Sequence, residues 1–276
     1  MPTLQDNLKR WDKQYEWIMG GDEWSSSWGD AHTQWHGTLY PRIKSFIPAQ
    51  TILEIAPGFG RWTQFLAHHC EKLIIVDLSS ECIEYCKKRF AHYSHIEYHT
   101  NDGMSLAMIE NNSVDFVFSF DSLVHAEYDV IQSYIIELSK KFKENGSGFI
   151  HHSNIGSYQH STSSKLTPLI NRLIKLMKRI VGARPQPLMQ DHWRAKSVTQ
   201  EKFSNLCNEH GLKCLRQEIV NWGNDPAFLI DCFSVFCKEP AIWKAPTVLY
   251  KNKIFMNEAD ALKKIFEHYN LSKYKQ

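Results

Sequence analysis

Leu53-Glu54-Ile55-Ala56-Pro57-Gly58-Phe59-Gly60 is the stretch from which the fold of this chain is read. The short, apolar, β-branched run from Thr51 to Ala56 passes directly into a turn holding two glycines. Residues 61–69 follow, with Trp62, Phe65 and Leu66 spaced as one helix face. A strand, turn and helix joined in this way present bare backbone amides to a ligand, and Gly58 and Gly60 allow a tight turn and close approach without a Cβ clash. The rhythm repeats outward. Lys72 to Asp77 is a second buried-strand run, followed by a helix over 80–90 capped by Ser79 or Ser80. His95 to His99 reads as a weaker third strand, and Val114 to Phe120 as a fourth with a helix over 128–142 after it. An Asn145-Gly146 turn then leads to a fifth strand, Gly148 to His152. Strands alternating with helices imply a mostly parallel sheet covered on both faces.

After His152 the rhythm breaks. Residues 153–164 are polar and Ser-rich, 166–181 read as an apolar and basic helix, and Gly182 to Pro187 as a linker. The pattern resumes with a helix over 198–210 closed by Gly211, then strands near 212–220 and 228–237 joined by a Trp-Gly-Asn-Asp-Pro turn. The expectation is an α/β fold whose mostly parallel seven-stranded sheet ends in an antiparallel C-terminal edge hairpin. The expected organisation is an aromatic N-terminal lid over 1–48, a main domain over 49–240 with an inserted cap at 153–197, and an amphipathic basic tail over 241–276 that serves as a packing helix or dimer arm. A monomer or a homodimer fits equally.

Composition narrows the function classes. The chain has 276 residues, 43% hydrophobic and 22% charged, and Lys plus Arg (32) nearly balances Asp plus Glu (30). A formal charge of +2 is too weak to suggest nucleic acid. Seven scattered cysteines with no Cys-x-x-Cys pair read as reduced, small apolar fillers. Met1 to Arg10 has no apolar signal core, and no stretch approaches the roughly 18 apolar residues of a membrane span, so a cytoplasmic location is expected.

Asp77 adds to the first turn, because a carboxylate ending the second strand can accept both hydroxyls of a ribose. Together these motifs resemble the class I S-adenosylmethionine-dependent methyltransferases, with Ala56 standing where the first motif usually has glycine. The resemblance implies a Rossmann-like sheet, S-adenosylmethionine as cofactor, and a cofactor site built from Glu54, Ala56, Gly58, Gly60, Asp77 and Leu78. It further implies that Asn101, Asp102, Gly103 and Met104 lie beside the adenine, and that Phe120-Asp121-Ser122-Leu123-Val124-His125 is the motif ending the central strand. A nicotinamide or flavin dehydrogenase would favour a third glycine where Thr63 stands, and no P-loop is present. The aromatic N-terminal segment is expected to close over the cofactor, with Trp24 or Trp28 against the adenosyl group and Trp11 and Trp17 as core anchors.

Ligands in such sheets bind outside the carboxyl ends of the strands, which brings Asp121, His125, His151 and His152 near the reacting centre. His152 is favoured as general base, with His125 and Asp121 as competitors and His151 as a substrate contact. Asp191-His192-Trp193-Arg194 combines groups that bind an anionic or glycosyl acceptor. No paired carboxylates accompany the histidines, so no metal is expected. The aromatic N-terminus, the Gly-Arg-Trp turn, His-His-Ser-Asn and Asp-His-Trp-Arg resemble bacterial methyltransferases that tailor capsular or lipopolysaccharide polysaccharides. That resemblance implies O-methylation of a sugar or of a phosphate-type substituent, the latter needing only cationic clamps such as Arg194 and Arg61. The competing readings are methylation of another small metabolite, a non-catalytic cofactor-binding regulatory module, and an RNA or protein methyltransferase. The last lacks the Asn/Asp-Pro-Pro-Tyr type of motif after strand four.

Overall fold

The computed structural model describes residues 3–158, 192–223, 226–239, 242–243 and 245–271. The helix expected over 166–181, the linker after it and Asp191 lie outside the described residues. Eight strands, among the described residues, make one sheet: β1 (Ala49–Ile55), β2 (Cys70–Asp77), β3 (Ile96–Thr100), β4 (Val114–Ser119), β5 (Phe142–Ser153), β6 (Leu212–Val220), β7 (Asp231–Lys238) and β8 (Val248–Asn252). Their order is β3-β2-β1-β4-β5-β7-β6-β8. Every neighbouring pair is parallel except those made by β7, which runs antiparallel to both β5 and β6.

Two expectations need correction. The sheet has eight strands and not seven, and the antiparallel β6–β7 pair is not the edge. β7 is inserted between β5 and β6, while β8, drawn from the 241–276 tail, pairs with the outer side of β6. The sequence signal for β8 is faint because Val248 to Lys251 are all exposed, so no alternation of buried and exposed residues marks the strand. β5 also starts earlier than expected, running through Asn145-Gly146, with a register shift between Val114 and Phe116 where it meets β4.

Alternation across the sheet feeds two cores. Ile52, Leu73, Ile75, Phe116 and Phe118 enter one, and Leu53, Ile55, Ile74, Val76 and Val117 the other. Burying each such side chain is worth roughly 1.5–3 kcal/mol relative to leaving it exposed. The first core is closed by Trp28 and Trp35 of the N-terminal segment, by α5 (Ser80–Arg89) through Ile83 and Cys86, and by α8 (Phe255–Tyr269) through Phe255 and Ala259. The second is closed by α6 (Tyr128–Lys141) and α7 (Gln200–Glu209). Helices therefore cover both faces. Ser79 caps α5, its Oγ accepting from Cys82 N at 3.1 Å, and Thr199 caps α7 in the same way. The remaining helices are short: α1 (Leu4–Lys9), α2 (Ala31–Gln34), α3 (Tyr40–Ile43) and α4 (Thr63–Leu66). Among the described residues no helix is long and apolar enough to cross a membrane.

β1 lies between β2 and β4, so the chain leaves it first to one side and then to the other. A reversal of this kind opens a crevice beyond the carboxyl ends of the strands, and the site lies there.

Candidate active site

A cavity of about 460 Å³ opens where β1, β2 and β4 end. Its floor is the turn after β1. Ala56 and Gly58 both adopt left-handed backbone there, with φ of 57° and 58°. For Ala56 this costs about 1–2 kcal/mol, and the residue is gripped from two sides. Its N–H donates to Val76 O at 2.7 Å, and its carbonyl accepts the Ser122 hydroxyl at 2.7 Å. A Cβ at position 58 would come within 2.9 Å of the Trp17 ring, so glycine is required for the N-terminal aromatics to reach the turn. Gly60 has another role. A Cβ there would meet the Phe90 ring at 2.4 Å, so this residue lets α5 pack and does not line the cavity.

Asp77 ends β2 at the cavity wall, almost fully buried. Its Oδ2 accepts from Gly58 N at 3.0 Å and its Oδ1 from Ser79 N at 2.8 Å. Burial dominates over these hydrogen bonds and raises its pKa to about 6. The folded chain therefore holds this proton more tightly than the unfolded chain, and burying the charge costs stability as pH rises from the ordinary 3.8 through about 6. Leu78, Gly103 and Phe120 share the wall.

Several expected cofactor residues, Glu54, Asn101, Asp102, Met104 and Trp28, are not among those lining the cavity. Glu54 is buried with Oε2 accepting the Thr63 hydroxyl at 2.6 Å, and burial raises its pKa to about 8. Asn101 bonds to Ser105 O and to the Tyr134 hydroxyl, and accepts from Gly103 N. Asp102 turns into its own loop, where the amides of Ser105 and Met104 hold its carboxyl below the usual range. Met104 packs on the α6 side. Trp28 is buried in the core, donating to the Thr38 hydroxyl at 2.9 Å, whereas Trp24 lines the cavity. Trp11 and Trp17, expected as core anchors, line it too. The signal for them was present in the density of tryptophans, but helix periodicity could not say which rings face inward.

The far end of the cavity is charged. Asp121, also left-handed at φ 64°, accepts from Arg61 Nη2 at 2.9 Å. Arg194, expected to clamp an acceptor, is instead held bidentately by buried Asp231 at 2.9 and 2.8 Å. His151 lies beneath, fully buried, with Nε2 3.1 Å from Asp231 Oδ2. Its Nδ1 accepts the Asp121 N–H at 3.1 Å, so the ring proton sits on Nε2 and faces Asp231. His151 thus positions the Asp121 turn and does not line the cavity. His192, Trp193 and Trp222 complete this end.

His152 faces away. Its ring nitrogens lie 2.9 Å from Ser153 O and 2.8 Å from Ser234 Oγ, and its ring stacks on Phe203 of α7 at 4.2 Å. The strand alternation that aims His151 toward Asp121 aims His152 into the opposite layer. Burial lowers its pKa to about 4. This overturns its assignment as general base. His152→Ala is expected to lower unfolding free energy by roughly 2–4 kcal/mol through lost packing and hydrogen bonds, leaving turnover per folded molecule within a few-fold. A hundredfold loss of turnover in a variant that still melts cooperatively would return His152 to the chemistry.

Like His192, and unlike His151 and His152, His125 lines the cavity. Its Nδ1 lies 2.9 Å from Trp193 O, which places a proton there and leaves Nε2 as an acceptor on the cavity side. Burial and the nearby Arg194 charge lower its pKa to about 4, so it is neutral at neutral pH. The N-terminal segment crosses above it. Asn7 donates to His125 O at 3.0 Å and accepts from Trp193 Nε1 at 3.2 Å, and Arg10 lies 4.7 Å over the Trp193 ring. Ser79 donates to Asp12 at 2.6 Å, tying the same segment to the end of β2. Among the described residues no three His, Cys, Asp or Glu side chains are grouped to hold a metal ion.

Residues 52–146 match the family model described as a methyltransferase domain. That segment is a methyltransferase domain. Phosphoethanolamine N-methyltransferase 1 of Caenorhabditis elegans is 27% identical over 95 residues, which is 34% of this chain and 20% of that protein. The chain thus spans about a fifth of the length of this curated relative. The N-methyltransferase NodS of Bradyrhizobium japonicum WM9, in complex with S-adenosyl-L-homocysteine, superposes with a TM-score of 0.52 at 15% identity, covering 87% of this chain and 100% of that one. The PH0226 protein of Pyrococcus horikoshii OT3 gives 0.51 at 16% identity, covering 75% and 91%. At these identities the two structures establish the shared fold of the methyltransferase domain and its sheet.

Proposed function

We propose that the whole protein transfers a methyl group from S-adenosylmethionine to a small acceptor, O-methylating a sugar or a phosphate-type substituent in surface polysaccharide biosynthesis. One observation carries the reading: the left-handed turn at Ala56 to Gly58 and the Asp77 carboxylate share one cavity with a charged far end. The cofactor fits these residues, because Gly58 leaves bare backbone beside Asp77 and Leu78, and aromatic rings wall the space between them and Asp121. Asp77 is assigned to the ribose, Leu78 and Gly103 to the adenine end, and Trp24 to the adenosyl side. When bound, the cofactor supplies an electrophilic methyl group on a sulfonium. Trp11, Trp17 and the Asn7 bridge exclude water from it, which strengthens electrostatics inside the site.

The available base chemistry favours an acceptor that is already ionised. A hydroxyl must lose a proton as it attacks; of the two remaining base candidates, His125 is held near pKa 4 and Asp121 is already ion-paired with Arg61. A phosphate-type oxygen has no such proton. The relative named as acting on phosphoethanolamine supports a second reading, in which a small phosphorylated amine is methylated on nitrogen. Labelled cofactor incubated with phosphorylated sugars, neutral sugars and phosphorylated amines tests both. Label is expected in a phosphorylated product, and turnover with none of the three classes would overturn the proposal. Cofactor affinity is expected to fall as pH drops through about 6, where Asp77 protonates; a flat profile by calorimetry would remove its carboxylate from the ribose.

A further inference from the structure

Three polar atoms on residues lining the cavity have no hydrogen-bond partner among the described residues: Arg10 Nε, Arg61 Nη1 and Trp62 Nε1. All three are donors. Neither a guanidinium nor an indole nitrogen has any acceptor capacity. Arg61 is 7% exposed and Trp62 2%. A buried donor without a partner costs roughly 1–3 kcal/mol, and here two occur on consecutive residues of one wall. Packing alone gives no reason to keep both. Only an atom with lone pairs satisfies them, and a single oxyacid group offers several such atoms at once.

The charge on the Arg61 guanidinium favours an ionised oxygen group. Arg61 already donates through Nη2 to Asp121 at 2.9 Å, and its guanidinium lies 4.6 Å over the Trp62 ring. Asp121 also lies 3.9 Å from Arg194, so one carboxylate faces two guanidinium groups at this end. Asp231 holds Arg194 bidentately from below. Charge-assisted bonds to guanidinium are about twice as strong as neutral ones, and they favour planar or tetrahedral anionic oxygens. Arg61 and Trp62 sit beside Asp121 and Phe120, beyond the end of β4, whereas Asp77 ends β2 on the other side of β1.

We propose that Arg61 and Trp62 bind an anionic oxygen group of the acceptor, and so make charge on the acceptor a condition of binding. The inference rests on the methyl-transfer reading above. Arg61 Nη1 takes one oxygen, Trp62 Nε1 a second, and Asp121 keeps the guanidinium plane fixed through Nη2. Arg61 is then a specificity residue.

The test uses the full chain, with S-adenosyl-L-homocysteine as cofactor probe and inorganic phosphate as anion probe. Wild type, Arg61→Gln and Trp62→Phe are titrated by calorimetry with the homocysteine compound, and then, once loaded, with phosphate. Phosphate affinity is expected to fall at least about tenfold in Arg61→Gln, which loses a cation paired with the anion, and about threefold in Trp62→Phe, which loses one uncharged donor to it. Cofactor-probe affinity is expected to stay within about twofold in both. Trp62→Phe keeps an aromatic ring and removes the N–H donor along with part of the ring volume, so with its fold checked by thermal melting it decides the matter if Arg61→Gln does not fold. Equal phosphate affinity in wild type and variants overturns the proposal. So does a tenfold loss of cofactor-probe affinity in Arg61→Gln, which would assign the guanidinium to the carboxylate of the cofactor. A wild-type chain that binds phosphate at the Arg61 wall but not the homocysteine compound would instead refute the methyl-transfer reading.

Discussion

Replacing Asp77 with alanine is expected to lower affinity for S-adenosyl-L-homocysteine at least about a hundredfold, the loss of two hydrogen bonds to a charged acceptor. The geometry supplies the reason. The carboxylate is buried at the end of β2 and fixed by the amides of Gly58 and Ser79, so its position is set before any ligand arrives. Alanine would also release the Gly58 amide and loosen the turn that forms the cavity floor. Asp77→Asn separates these effects, since it keeps the shape and removes the charge. Calorimetry on both variants checks the assignment, and undiminished affinity in Asp77→Ala would refute the ribose role.

The largest effect on stability is expected at Asp231. This carboxylate is fully buried, which alone would raise its pKa, yet the Arg194 guanidinium and a hydrogen bond from His151 hold it well below the usual carboxylate range. Asp231→Asn leaves the Arg194 guanidinium, itself 4% exposed, without its bidentate partner. Breaking a buried pair from one side costs roughly 3–5 kcal/mol, and denaturant unfolding of the variant is expected to register a loss of that size. A loss under about 1 kcal/mol would mean that Asp121, 3.9 Å away, takes over the pairing. The pH dependence has a defined sign. Because the folded pKa is depressed, this contribution is complete above the ordinary carboxylate value and is lost as pH falls toward the folded one. Stability contributed here therefore fades only in strong acid, opposite in direction to the contribution of Asp77.

The parallel half of the sheet was legible because its strands are buried on both faces, which leaves continuous apolar runs such as Lys72 to Asp77 between turn signals. β8 was not legible, since an exposed strand that pairs on one side carries no alternation. At the site, Gly58, Asp77 and Asp121 line the cavity at the strand ends, positions that backbone topology alone sets. Errors arose where facing direction decided the role. His151 and His152 are chemically identical neighbours, and only their register against β7 sends one toward Asp121 and the other onto Phe203. Arg194 was rightly placed at the cavity, but its partner Asp231 lies 37 residues away, and no local spacing announces such a pair. The sequence marks Trp62 as a helix-face residue and as the end of the Gly-Arg-Trp turn but not as an unpaired donor, because a missing hydrogen-bond partner is a property of the folded surroundings.

The segment matched as a methyltransferase domain ends at residue 146, inside β5, yet the sheet continues through three further strands, the last of them β8. A chain shortened after Lys238 would lose β8 and Phe255 together, baring the outer hydrogen-bonding row of β6 and the apolar hollow beside Trp28. Such a fragment would tend to stack edge to edge with its own copies, so the segment after Lys238 guards against self-association as much as it completes the architecture.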